Sequence, residues 1–197
     1  MSLLVKICGL RDKRHVAVAM DAGAGALGFV FAESSRQIGP RTARTVSDIV
    51  PRSVKRVAVM RHPSSDEWRA VLEQFEPDVL QTDAEDFDYL EVPDSVACWP
   101  VYREGGAHPN GTETYLYEGP NSGQGETVNW STAAEIAQHG QMILAGGLCP
   151  KNVAGAVQAV RPFGVDVSSG VESTPGEKDP ELIREFIAAA LAAEKVL

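Results

Sequence analysis

Cysteine is scarce in this chain: Cys8, Cys98 and Cys149 lie scattered over 197 positions. That pattern supports neither a disulfide framework nor a zinc site. Long hydrophobic runs are missing too. None approaches the roughly 20 residues of a membrane span, and no signal peptide opens the sequence, so a cytosolic location is expected. Positive charge is in deficit. Lys and Arg number 18 against 27 Asp and Glu, and the net charge of −9 repels nucleic acid and anionic membranes, excluding both as main partners. The four histidines, His15, His62, His108 and His139, show no metal-ligand spacing, and no metal is expected.

What is present is an ordinary globular composition, 44% hydrophobic and 23% charged, at a length that suits one domain over residues 1–197. No exposed apolar helix face asks for a partner, so a monomer is expected.

The organising feature is alternation. Short apolar runs that read as buried parallel strands are followed by segments of helical period. Strands are expected at Leu3–Cys8, Ala26–Ala32, Val54–Met60, Asp78–Gln81, Val96–Tyr102, Thr114–Glu118, Gln141–Ala145 and Val165–Ser168. Between them, Ser64 and Glu67 have capping-box spacing ahead of Trp68, Val71, Leu72 and Phe75 on one face. Asp179 and Pro180 open a last helix with Leu182, Ile183 and Phe186 inward. The stretch from Glu104 to Gly111 is turn chemistry, so the fifth helix is expected to be missing or vestigial. Eight β/α units indicate a (β/α)8 TIM barrel of the α/β class. A doubly wound open sheet binding dinucleotide would carry a glycine fingerprint after its first strand, where this chain reads Cys8-Gly-Leu-Arg-Asp12.

Barrel chemistry sits at the carboxyl ends of the strands. If Val5 and Ile7 face the helices, Lys6 and Cys8 face the barrel interior. A lysine there needs a partner, and Asp166 on the neighbouring eighth strand supplies one. A positive charge near Cys8 should lower its thiol pKa and make it a usable base or nucleophile; otherwise it is a small inert hydrophobe. Arg36, after strand two, is either a bidentate clamp for a carboxylate or a solvated loop residue. Gly146 and Gly147 after strand seven, with Ser168, Ser169 and Gly170 after strand eight, form two small-residue loops suited to phosphate, or else plain turns. Glu118, with the inward parity of Leu116, stands across the mouth as a candidate acid, or as a loop-facing glutamate.

Together these segments are recognisable. Lys6-Ile-Cys-Gly-Leu10, Gly28-Phe-Val-Phe31 with Ser35-Arg36 and Pro40, Ala145-Gly-Gly-Leu148, and Asp166-Val-Ser-Ser-Gly-Val-Glu172 with Pro175-Gly176 and Lys178-Asp179 resemble the phosphoribosylanthranilate isomerase family of tryptophan biosynthesis, in order from about Lys6 to Phe186. The resemblance implies an Amadori rearrangement of a phosphorylated aminoaldose, with no cofactor and no metal. Carried over by position, Cys8 would be the general base and Glu118 the general acid. Arg36 would hold the anthranilate carboxylate, and the Gly146–Gly147 and Ser168–Gly170 backbones the phosphate. The family usually has aspartate where this chain has Glu118, and histidine where it has Asp83. The glycine-rich loop after strand six is altered over Asn121–Thr127. Two other readings stand beside it: a related sugar-phosphate isomerase with shifted substrate, and a barrel that binds phosphate without chemistry. A lysine-dependent aldolase would need Lys6 neutral, which pairing with Asp166 opposes.

Overall fold

The structure, a computed structural model, describes residues 3–109, 111, 113–120 and 127–196. Its elements run β1 (Leu4–Cys8), α1 (Lys13–Ala22), β2 (Ala26–Val30), α2 (Pro40–Val46), β3 (Lys55–Val59), α3 (Ser65–Phe75), β4 (Val79–Asp83), β5 (Ala97–Arg103), β6 (Thr114–Glu118), α4 (Trp130–Ile136), β7 (Gln141–Leu144), α5 (Val153–Val160), β8 (Gly164–Val167), β9 (Glu172–Thr174), β10 (Glu177–Lys178) and α6 (Pro180–Glu194). Strands β1 to β8 close in chain order into a parallel barrel, and β8 pairs with β1 with Lys6 opposite Asp166.

Strand parity divides the apolar residues into two cores. Val5, Ile7, Leu27, Phe29, Leu80, Tyr115, Met142 and Val165 pack outward among the helices. Ala26, Val57, Val79, Trp99, Val101, Leu116 and Ile143 fill the barrel interior. Each fully buried large side chain contributes about 1.5–3 kcal/mol, so a one-residue slip in any strand would exchange the two sets and is strongly disfavoured. The helices begin where their caps stand. Ser64 and Glu67 form a reciprocal capping box on α3, and the Asp179 side chain accepts from the amides of Glu181 and Leu182 at the start of α6.

Strand ends differ from the sequence reading where function is concerned. β4 runs two residues past Gln81 to Asp83, and β5 one past Tyr102 to Arg103. Both added residues share the inward parity of Val79 and Val101, which puts two charges at the barrel mouth. As expected, no helix follows β5 among the described residues. The fourth helix is missing as well. In its place is one 3-10 turn over Ala84–Asp88, drawn tight because the Asp86 carboxylate accepts hydrogen bonds from the Thr82 hydroxyl and the His62 amide.

Candidate active site

Lys6 and Asp166 meet on the barrel axis at 2.7 Å, with Lys6 fully buried. Burial pulls the Lys6 ammonium down, but Asp166 and Cys8 more than reverse this, and its pKa stands above the ordinary 10.5. A permanently charged lysine is no Schiff-base nucleophile. Cys8 sits one layer higher. A Cβ at Gly28 would lie 2.9 Å from Cys8 Sγ and 3.2 Å from Lys6 Nζ, so the glycine makes the room in which thiol and ammonium meet.

The thiol does not follow the sequence expectation. Burial pushes Cys8 above the ordinary 9.0, and although Lys6 draws it back, Asp166 adds to the rise. Burial is the largest influence and outweighs the lowering by Lys6 and Lys178. The resting group is a thiol at the wall of the mouth cavity.

Arg36 is committed on one edge. Its Nε and Nη2 donate to the two oxygens of Glu172 at 2.8 and 3.0 Å, which fixes the guanidinium plane and leaves Nη1 outside the fork. Lys178, 3% exposed, donates to Glu172 at 2.7 Å and to the Ser168 carbonyl at 2.8 Å. Burial works to raise the Glu172 pKa, but hydrogen bonds from Arg36, Lys178 and the Gly176 amide outweigh it and hold Glu172 at about 2. Lys178 shifts the other way for a buried pair, downward, because its burial exceeds the pull of a carboxylate it shares with Arg36. A carboxylate held below its unfolded pKa stabilises the fold above about pH 4.5, and that stability drains away as pH falls toward 2. Glu172→Gln should therefore cost about 3 kcal/mol at pH 7, shrinking to about 1 kcal/mol at pH 3, read from denaturant unfolding of both proteins at each pH.

The two small-residue loops lie against each other: a Cβ on Gly170 would fall 1.9 Å from the Leu148 carbonyl oxygen, so nothing larger fits. Gly146 and Gly147 have φ of 87° and 60°, a conformation that suits glycine. Among the described residues, the amides of Gly146 and Gly147 donate to no backbone carbonyl. The Ser168 hydroxyl donates to the Cys8 carbonyl at 3.3 Å and ties this corner to β1. The arrangement can hold a phosphate on backbone amides beside a buried ammonium.

Glu118 lies across the mouth, with Arg103 Nη2 at 3.2 Å from its Oε1. Arg103 also pairs through Nη1 with Asp83, which is 1% exposed. Asp83 in turn lies 3.1 Å from His62 Nε2, out of line for a hydrogen bond, and His62 Nδ1 is 3.0 Å from Asp86. No sequence pattern marks His62 or Arg103 for this site; nothing in the spacing of residues 62, 83, 86, 103 and 118 brings them together before the barrel closes. The hydrogen bond to Asp86, partly opposed by desolvation, raises the His62 pKa above 6.5. His62, Asp83 and Asp86 have ligand atoms within 4.8 Å of one another. Arg103 and His62 stand between the two carboxylates, so the cluster is an ion-pair network rather than a bare acidic pair.

Cys8, Arg36, Asp83, Arg103, Glu118, Asp166 and Ser168 all line one cavity of about 250 Å³ at the carboxyl ends of the strands. A larger groove of about 730 Å³ runs outside the barrel along α3 and residues 89–93, away from these groups. The smaller one is the candidate site, because it is where the inward charged side chains converge. Asn121–Glu126 of the altered loop lie outside the described residues.

A family model described as N-(5'phosphoribosyl)anthranilate (PRA) isomerase matches residues 5–189. The chain is 38% identical over 186 residues to N-(5'-phosphoribosyl)anthranilate isomerase of Streptococcus pneumoniae serotype 19F, covering 93% of each. It is 35% identical over 210 residues to the protein of that name from Listeria monocytogenes serotype 4b, covering 98% of this chain and 100% of the other. Among solved structures, phosphoribosyl anthranilate isomerase in complex with reduced 1-(o-carboxyphenylamino)-1-deoxyribulose 5-phosphate superposes with a TM-score of 0.82 at 28% identity, over 99% of this chain and 100% of that one. The Thermus thermophilus protein gives 0.83 at 29%, over 96% and 99%.

Proposed function

The chain belongs to the N-(5'-phosphoribosyl)anthranilate isomerase family of tryptophan biosynthesis, and on that premise we propose how its own residues divide the reaction, with Cys8 as general base and Glu118 as general acid. The reaction is the Amadori rearrangement of N-(5'-phosphoribosyl)anthranilate to 1-(2-carboxyphenylamino)-1-deoxyribulose 5-phosphate, formally an aldose–ketose isomerisation. Glu118 gives a proton to the furanose ring oxygen as its bond to C1' breaks, and the anthranilate nitrogen supplies the electron pair that leaves an iminium. Cys8 takes the C2' proton, the C2' electron pair moves toward nitrogen, and the resulting enolamine ketonises. The base form of Cys8 is the thiolate, its proton given up to solvent; the iminium stabilises that thiolate and acidifies C2', so ring opening favours proton abstraction.

The observation that carries this reading is that Cys8 and Glu118 line the same cavity as Arg36 and Ser168. That supports a substrate spanning the mouth, with its phosphate on the amides of Gly146, Gly147, Ser169 and Gly170 and its carboxylate at Arg36. Gln81 Oε1, buried and without a hydrogen-bond partner among the described residues, suits a sugar hydroxyl. No helix of the described residues is long and apolar enough to cross a membrane. The closed barrel favours one domain, and a small phosphorylated substrate taken by a cytosolic monomer is part of this proposal.

Glu118→Gln keeps the size of the side chain and removes the transferable proton. Its kcat should fall about a hundredfold with KM little changed, as expected for loss of a general acid. Native turnover by this variant would assign the acid to another group.

A further inference from the structure

Asp83 and Glu118, at the mouth ends of β4 and β6, are joined by a single side chain. Arg103 at the end of β5 stands between them, pairing Nη1 with Asp83 and placing Nη2 at 3.2 Å from Glu118 Oε1. Backbone register makes this geometry natural. Arg103 pairs with Glu118 across β5 and β6, Asp83 pairs with Val101 across β4 and β5, and all three side chains have inward parity. We propose that Arg103, anchored by the buried Asp83, is a positioning residue that fixes the Glu118 carboxyl group at the barrel mouth.

The argument is one of reach and freedom. Glutamate has one more methylene and one more rotatable bond than aspartate, and an acid displaced by about 1 Å can lose on the order of a hundredfold in rate. A guanidinium held against one carboxyl oxygen, the carbonyl oxygen of the protonated acid, leaves the other oxygen to carry the proton. It removes that freedom only if the guanidinium itself is fixed. Asp83 supplies the fixing: at 1% exposure, a carboxylate needs a matched cation, so the guanidinium is held where it is. His62, on the other side of Asp83 and tied to Asp86 at 3.0 Å, keeps Asp83 from turning away. Arginine suits the task because its planar fork can engage two carboxylates at once, which a lysine ammonium on a flexible stem does poorly.

The proposal rests on Glu118 being the acid, and a kinetic cycle separates the two claims. Four proteins are compared: native, Arg103→Met, Glu118→Gln and the double variant. Arg103→Met should lower kcat about thirtyfold to a hundredfold with KM within about threefold. In the Glu118→Gln background, the same change should lower kcat by less than about threefold, because the group it positions is already gone. Arg103→Lys should recover part of the loss. Equal losses in both backgrounds, or weakened binding of the reduced product analogue by Arg103→Met, would mean that Arg103 acts on substrate directly, and the proposal fails while the acid stands. A fully active Glu118→Gln protein sinks the acid assignment, and the proposal with it. Should Arg103→Met fail to fold by circular dichroism, Asp83→Asn takes its place. That variant should show the same kcat-only loss at reduced size, and native kcat in it overturns the proposal.

Discussion

Replacing Cys8 with alanine should lower kcat about a thousandfold while leaving KM within a few-fold, the pattern of a group that acts on the reacting atoms and contributes little to binding. The side chain is 7% exposed, small and replaceable by a methyl group, so the fold should survive the change. The native enzyme should also carry a signature of the raised thiol pKa. Because the base form is the thiolate, and burial holds the thiol above its ordinary 9.0, kcat/KM should still be climbing through the pH range in which a free thiol titrates. The alanine protein should lack that rise. Unchanged turnover in Cys8→Ala would remove the base from the mechanism and with it the reason for a glycine at position 28.

Removing one partner of the axial ion pair should be the most damaging change to stability. Asp166→Asn leaves the fully buried Lys6 ammonium without its counter-charge, and breaking a buried pair in this way costs about 3–5 kcal/mol. The double variant Lys6→Met/Asp166→Leu should recover most of that loss, since two apolar side chains can replace a buried pair with little penalty. Guanidinium unfolding of the three proteins checks both statements. A loss under about 1 kcal/mol in Asp166→Asn would mean that the lysine finds water or another partner in the barrel. The axial pair and the Arg36–Glu172–Lys178 cluster do different work. The first sets the floor of the site beneath Cys8, and the second orients the arginine and braces the loop at Ser168.

The axial pair was legible in the sequence because two simple rules meet there. Alternation puts Lys6 on one face of β1, and closure of an eight-stranded barrel puts β8 beside it. The barrel, the caps of α3 and α6 and the absent fifth helix were legible for the same reason: each rests on local pattern. Arg103 was not, since β5 carries Trp99 and Val101 on one face and Tyr102 on the other, with Pro100 between, and such a strand has no readable parity. Asp83 was legible as a mouth residue but not as part of its strand, because a charge after Gln81 usually marks where a strand stops. The missing fourth helix escaped notice because the pull of Asp86 on Thr82 and His62 exists only in three dimensions. The thiol pKa was misjudged in direction: sequence shows that a lysine is near, but not that burial and an aspartate together outweigh it. Glu172 was seen only as part of a motif, its partner Arg36 being 136 residues away.

The central claim is that this barrel, with Cys8 as base and Glu118 as acid, turns over N-(5'-phosphoribosyl)anthranilate. The most direct measurement is the decay of substrate fluorescence when freshly made phosphoribosylanthranilate is mixed with the purified native protein. Rapid, complete decay with formation of the ketose phosphate is the predicted result. Saturable binding of the reduced product analogue without any decay would contradict the account, and would describe a barrel that kept its ligand and lost its chemistry.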